Sequence, residues 1–169
     1  MNALPQPYRL TREDREEAIA LAIAIVAARS AEGPNSDYEP EAQNNYAVRL
    51  ERTKLGCLGE IAFSRMTGHR VNRSLKPGSF DDVGGWEVKI ITSWDHHLIL
   101  PAKVAQLREP LKVVLLVYRD LWVYCAGWCF SDQVCTPNRL RKANKDRAAV
   151  YMIGCADLQH GPLPVEEVW

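Results

Sequence analysis

The chain changes its hydrophobic period once, near Arg70, and that change limits the folds open to it. Before it lie two long stretches of helical character; after it, apolar residues come in short runs broken by Gly, Pro and Asp. Leu10-Thr11 followed by Arg, Glu and Asp reads as a helix start, with Thr11 as cap and Asp14 where a capping box usually carries Glu. The pattern predicts a helix over 12–31, stopped by Gly33-Pro34. Its segment Ala18 to Ala28 is an unbroken run of 11 apolar residues, where a membrane span needs about 20. Being apolar nearly all round, this helix is expected to be a scaffold element packed between others. A polar loop with two prolines follows over 33–40, then a second helix over 41–66, in which Leu55, Leu58, Phe63 and Met66 recur near helical spacing. Gly56 and Gly59 offer close approach to a neighbour, and Thr67-Gly68 ends the helix.

Beyond the change, strands are expected at 69–72, 86–92, 97–100 and 149–153, with 111–118 and 121–130 paired as a hairpin around Arg119-Asp120. Ser74 to Ser79 reads as a loop and Gly84-Gly85 as a turn; 103–109 and 156–159 read as short helical pieces, and 138–146 as a polar, basic segment that can form a helix. Helices followed by a strand-rich half predict a single α/β (α+β) domain with a mixed sheet over 1–169. Residues 1–40 would be an N-terminal helix and loop, and 41–169 the core.

The 21 basic and 21 acidic residues cancel, which excludes a histone-like coat of positive charge. The balance is uneven: residues 1–60 carry net −3 and residues 61–169 net +3, leaving room for a local basic groove. The five cysteines include no CxxC pair, and the spacing of Cys125, Cys129 and Cys135 fits no zinc module. They are expected to be free thiols in a reducing compartment. The start, MNALPQPYRL, lacks the basic and apolar regions of a secretory leader, so a cytoplasmic location and no membrane partner are expected.

The stretch from Gly78 to Thr92 carries the chemistry. In a strand alternate side chains share a face, so Glu87 and Lys89 stand together opposite Trp86, Val88 and Ile90. With 21 acids and 7 lysines, chance alone gives about one acid-x-Lys match, so the pair matters only through its context. That context is a Gly-Gly turn, Asp82 five residues upstream and Glu60 in the preceding helix. The set suits a divalent-metal phosphodiesterase: Mg²⁺, with Mn²⁺ as substitute, takes oxygen ligands from one or two carboxylates. Asp82, Glu87 and the Val88 carbonyl would supply ligands, with Glu60 binding directly or through water. Lys89 would serve the attacking water and offset charge on the phosphate.

These residues resemble the PD-(D/E)XK nuclease superfamily, of restriction-endonuclease-like fold. The resemblance rests on Glu60 in Leu58-Gly59-Glu60-Ile61-Ala62, Asp82 in Asp81-Asp82-Val83-Gly84, and Glu87-Val88-Lys89. It implies a core of a helix, a three-stranded antiparallel meander, a second helix and a further strand, with the N-terminal helix as an addition. A closer similarity is to small phage and prophage proteins, through Gly127-Trp128, Tyr151-Met152-Ile153 and Asp157-Leu158, and spans roughly 50–163. The superfamily's Pro before the Asp is absent here. Either Asp81 or Asp82 can be the ligand; Asp82 is preferred because Val83-Gly84 then follows as in the similar proteins.

The resemblance implies a metal-dependent nuclease that hydrolyses phosphodiesters through metal-activated water, with DNA favoured over RNA and a homodimer allowed. Arg139, Arg141, Lys142, Lys145 and Arg147 are candidates for backbone phosphate contacts, as are His96 and His97 at the turn after the active strand. Arg65, Arg70, Arg73 and Lys76 could extend that track, while Trp86, Trp122 and Trp128 are assigned to the core rather than to base stacking. Two rival readings stay open: an inactive nucleic-acid-binding module of the same fold, and a small protein-interaction domain with no nucleic-acid role.

Overall fold

Residues 4–31, 45–72, 82–142 and 148–164 are described by the computed structural model, residues 29–31 by backbone alone. The expected loops at 33–40 and 74–79, the candidate ligand Asp81, and the basic residues Arg73, Lys76, Lys145 and Arg147 lie outside them.

Thr11 and Asp14 start the first helix, α1 (Arg12–Ala31), by reciprocal capping. The Thr11 N–H donates to Asp14 Oδ2 at 2.9 Å, and the Asp14 N–H donates to Thr11 Oγ1 at 3.1 Å. The buried Asp14 carboxylate also accepts from the Tyr8 hydroxyl at 2.8 Å and from Arg65 Nε at 3.2 Å. One side chain thus ties the short strand β1 (Tyr8–Arg9) and both long helices together. Burial pushes its pKa up, but the Thr11 N–H, the Tyr8 and Thr11 hydroxyls and Arg65 together hold it below the ordinary carboxylate value.

Helix α1 buries Ala18, Ala22 and Val26, one residue per turn, against the second helix, α2 (Tyr46–Thr67). Ile19 and Ile23 on its outer side are 44% and 46% exposed, so the expected packing on all sides is corrected: α1 is an outer layer. Asn45 caps α2, its Oδ1 accepting from the N–H groups of Ala47 and Val48, and Gly68 ends it at φ 78° with its N–H on the Ser64 carbonyl. Of the two glycines expected to allow close approach, Gly59 does so: a Cβ there would stand 3.0 Å from Ile90 Cβ. Gly56 faces open space.

The strands β2 (Trp86–Ile91), β4 (Lys112–Arg119) and β5 (Trp122–Phe130) join β1 in a mixed sheet of order β1-β5-β4-β2. β2 runs parallel to β4, and the other pairs are antiparallel. The β4–β5 hairpin turns at Asp120-Leu121, both at positive φ, as a two-residue type I′ turn requires. On the outer side of β2, Val83 bridges to Trp86 and Val71 bridges to Val83, all antiparallel. A second sheet, β3 (His97–Pro101), β7 (Val150–Gly154) and β6 (Leu140–Arg141) in the order β3-β7-β6, is antiparallel throughout.

Two apolar clusters follow from this layering. Trp86, Val88, Val114, Leu116 and Val123 face α1 and α2, while Val113, Leu115, Val117 and Ala126 face Leu98, Leu100 and Ile153 of the second sheet. The architecture is mixed α+β, with a helical layer and a second sheet on opposite faces of the first. The short helical piece expected at 103–109 is the 3₁₀ segment Ala102–Gln106. One expectation is corrected: 138–142 are not helical beyond the 3₁₀ turn Pro137–Arg139. Leu140 and Arg141 instead pair with β7, because Leu140 gains partial burial there that a solvated helix would not offer. No helix among the described residues is long and apolar enough to cross a membrane.

Candidate active site

Gly84 and Gly85, at φ 55° and 79°, turn the chain back on itself so that Val83 and Trp86 exchange backbone hydrogen bonds of 3.1 and 3.0 Å. A side chain at Gly84 would meet the His69 ring at 2.7 Å, so the turn is also pressed against the segment that leaves α2. Asp82 lies at the base of this hairpin. Its N–H donates to the Trp86 carbonyl at 2.9 Å, and its Oδ2 accepts from the Val88 N–H at 2.8 Å. The N–H and C=O of one strand residue point to the same edge, so the Val88 carbonyl also faces the edge where Asp82 stands.

Glu87 and Lys89 share the opposite face from Trp86, Val88 and Ile90, as alternation requires. Glu87 is buried among apolar neighbours, its side chain 6% exposed, whereas Lys89 is 35% exposed. Lys89 Nζ donates to Glu87 Oε1, while Glu87 Oε2 is buried and accepts no hydrogen bond from the described residues. A buried acceptor without a donor is rare and costly. Here it belongs to the carboxylate next in sequence to Val88.

Glu60 is half-buried on α2, directly after the Gly59 that touches Ile90, and α2 packs over the face opposite Glu87. The described residues contain no cluster of three His, Cys, Asp or Glu side chains that could hold a metal ion. Two carboxylates and a backbone carbonyl are nonetheless within the oxygen set that Mg²⁺ accepts when water and phosphate complete it. The unsatisfied Glu87 oxygen fits such a cation.

His96 and His97 are exposed at the turn between β2 and β3, and the His96 carbonyl accepts a hydrogen bond from Cys155 Sγ at 3.7 Å. Arg139 donates from Nη1 to the Gln133 carbonyl at 2.6 Å, and Arg141 from Nη1 to the Asn138 carbonyl at 3.4 Å; Lys142 is exposed. Arg139 precedes, Arg141 belongs to and Lys142 follows the far strand of the second sheet. Arg65 is engaged by Asp14 and Glu17, while Arg70 lines a cavity of about 480 Å³ with Ile61, Ser64, His69 and Val71.

Trp86 and Trp128 are core residues, edge-to-face with each other and with Phe63 and Phe130. Trp122 is 39% exposed, which corrects its assignment to the core. Trp94, which sequence reasoning passed over, is 46% exposed with its ring centroid 6.1 Å from that of Tyr124. The alternation Trp122-Val123-Tyr124 signals that the two aromatics share a face, but only strand register shows what lies beside them. All five cysteines are free; burial pushes Cys125 up to about 11 and Cys129 up to about 12, so neither is a thiolate at neutral pH.

No family model, curated protein or solved structure matches the chain.

Proposed function

We propose that this protein is a Mg²⁺-dependent nuclease of restriction-endonuclease-like fold. The observation that carries the reading is the Glu87 carboxylate: buried, bonded through one oxygen to Lys89, and unsatisfied at the other. A chain selected only for stability gains by replacing such a group with an apolar one. The order of elements supports the fold assignment. Helix α2 is followed by antiparallel bridging from Val71 through Val83 to Trp86, then by β4 lying parallel to β2. The crossover between β2 and β4 is made by β3 and a 3₁₀ segment where the resemblance implies a helix.

Glu87 Oε2, Asp82 and the Val88 carbonyl would hold the ion, with Glu60, which does not cluster with them, acting only through water. When bound, the ion polarises the phosphodiester and makes water a stronger nucleophile near neutral pH. Glu87 holds the Lys89 ammonium in place by their ion pair. From there Lys89 orients the attacking water and offsets the charge that develops on the phosphate oxygens. Water adds across the P–O bond, giving a phosphomonoester and a free hydroxyl. Asp82 keeps the edge of β2 in register through the Val88 N–H. DNA is the favoured substrate.

The test is cleavage of labelled DNA and RNA with Mg²⁺, Mn²⁺, Ca²⁺ or EDTA, beside Glu87→Ala and Lys89→Ala. Cleavage that needs Mg²⁺ or Mn²⁺ and is lost in both variants is expected. Turnover that persists in both variants removes this site from the mechanism.

A further inference from the structure

Strand register places a row of residues on the sheet face that carries Glu87 and Lys89. Lys89 pairs with Leu115. One pleat further along, Ile91, Val117 and Tyr124 stand side by side across β2, β4 and β5. One pleat beyond that, Arg119, Trp122 and Arg9 stand side by side across β4, β5 and β1. Laterally opposed residues project to the same side of a sheet. Trp122 is therefore flanked by an arginine on each neighbouring strand. Trp94 joins the same surface by reaching Tyr124. Trp94, Trp122, Arg9 and Arg119 are all exposed, and Arg119 Nε lies 3.6 Å from the exposed carboxylate of Asp120 in the adjoining turn. From strand spacing and rise, Trp122 lies roughly 16 Å from Lys89 across the sheet.

An exposed indole flanked by two arginines, with a second exposed indole on the same surface, does not suit a duplex, whose base faces are hidden. The arrangement suits unpaired bases, which stack on aromatic rings while arginines take the phosphates. We propose that the exposed end of this face, beyond the part covered by the second sheet, binds a single-stranded segment of nucleic acid, with Trp94 and Trp122 stacking on bases and Arg9 and Arg119 neutralising the backbone. Resting on the nuclease reading, this makes the substrate one with an unpaired stretch beside the scissile bond, such as an overhang or flap.

The experiment measures binding of a fluorescent single-stranded deoxyoligonucleotide and of the matching blunt duplex, by anisotropy in EDTA so that no cleavage intervenes. Wild type, Trp122→Ala, Trp122→Tyr, Trp94→Ala and the Arg9→Ala/Arg119→Ala double variant are compared at several salt concentrations. Each alanine at a tryptophan is expected to weaken single-strand binding about tenfold or more, with Trp122→Tyr restoring most of it and duplex binding unchanged. The double arginine variant should flatten the slope of log K against log salt by about 1.4. No single-strand binding by the wild type, or equal losses on duplex, overturns the proposal. So does a dimer in sedimentation that Trp122→Ala dissociates, which would assign the face to a second copy. Failure of the nuclease reading is separately visible: strand binding that depends on Trp122 with no cleavage in any metal leaves this surface intact and removes turnover.

Discussion

Replacing Glu87 by leucine should make the metal-free protein more stable while abolishing cleavage. The side chain is 6% exposed, one carboxylate oxygen meets Lys89 and the other has no hydrogen-bond donor among the described residues. An unsatisfied buried acceptor costs about 1–3 kcal/mol. The ion pair offsets little of that, because Lys89 is a third exposed and solvent-screened pairs contribute about 0–1 kcal/mol. Leucine at this position lies beside the fully buried Val113 of β4. Glu87→Leu is therefore expected to gain about 1–2 kcal/mol in urea unfolding in EDTA. At about 2–4 °C per kcal/mol, that raises Tm by roughly 2–8 °C. Magnesium should reverse the order. At a hundred times its Kd, an ion bound only to the native state stabilises by about 2.7 kcal/mol, a gain expected for the wild type and absent in the variant. If Glu87→Leu loses more than about 1 kcal/mol in EDTA, Glu87 is a structural ion-pair partner and the reasoning is wrong. Equal magnesium stabilisation of both proteins would remove Glu87 from the ion site.

Lys89→Ala should keep both the fold and the magnesium-induced rise in Tm while losing cleavage; loss of the Tm response as well would mean that Lys89 positions the ligands instead of serving the water. Gly127, at φ 151°, has no room for a side chain: a Cβ would stand 2.7 Å from Leu158 Cβ and 2.9 Å from the Gln159 carbonyl, which itself accepts from the Trp128 N–H. Gly127→Ala is expected to cost about 2–4 kcal/mol, read from the urea midpoint, and an unchanged midpoint would show that the pairing with Gln159 can shift. Asp14→Ala removes the acceptor of the Thr11 N–H, half of the reciprocal capping at α1, and the partner of three further donors, for a loss of about 2–3 kcal/mol at pH 7. Because the folded Asp14 pKa is depressed, its contribution is complete above the unfolded value of about 3.9 and is lost as pH falls through the lower folded one. The gap between wild type and Asp14→Ala should thus be constant from pH 7 to 5 and narrow below pH 4; a gap that narrows already between pH 7 and 5 would place the titration elsewhere.

Elements whose signals are local were legible in the sequence. Thr11 and Asp14 fix the start of α1, Gly68 fixes the end of α2, and alternation gives β2 its two faces. What was not legible depends on partners distant in the chain. β1 is two residues long and exists because Tyr8 and Arg9 pair with Val123 and Trp122. The bare outer side of α1 reflects the absence, among the described residues, of a further layer that composition alone cannot reveal. Leu140 and Arg141 become a strand through β7, overriding the helical leaning of a Lys- and Arg-rich segment. For the site, the nearness of Glu87 to Lys89 follows from alternation. The bond from the Val88 N–H to Asp82 follows from a turn type that Gly84-Gly85 permits without dictating.

The edge position of β2 explains why these groups can be assembled at all. An edge strand exposes a row of backbone donors and acceptors that must be covered. Here the covering is the hairpin from Asp82 to Trp86, and the Asp82 carboxylate extends it by one rung to the Val88 N–H. The contact that closes the sheet therefore also puts a carboxylate beside the Val88 carbonyl, with Glu87 and Lys89 on the adjoining face. Glu60 lies on the helix that covers the opposite face, and it does not join Asp82 and Glu87 in a cluster of three acids that could hold a metal ion. The approach of that helix is set by Gly59, where a Cβ would crowd Ile90 of β2 at 3.0 Å. Enlarging Gly59 would push α2 away from β2 and carry Glu60 with it, whereas Asp82 and Glu87 are held by β2 itself. The acids thus differ in how they are fixed: Glu87 belongs to the strand, Asp82 is hydrogen-bonded to it, and the place of Glu60 depends on how closely the helix and the strand approach.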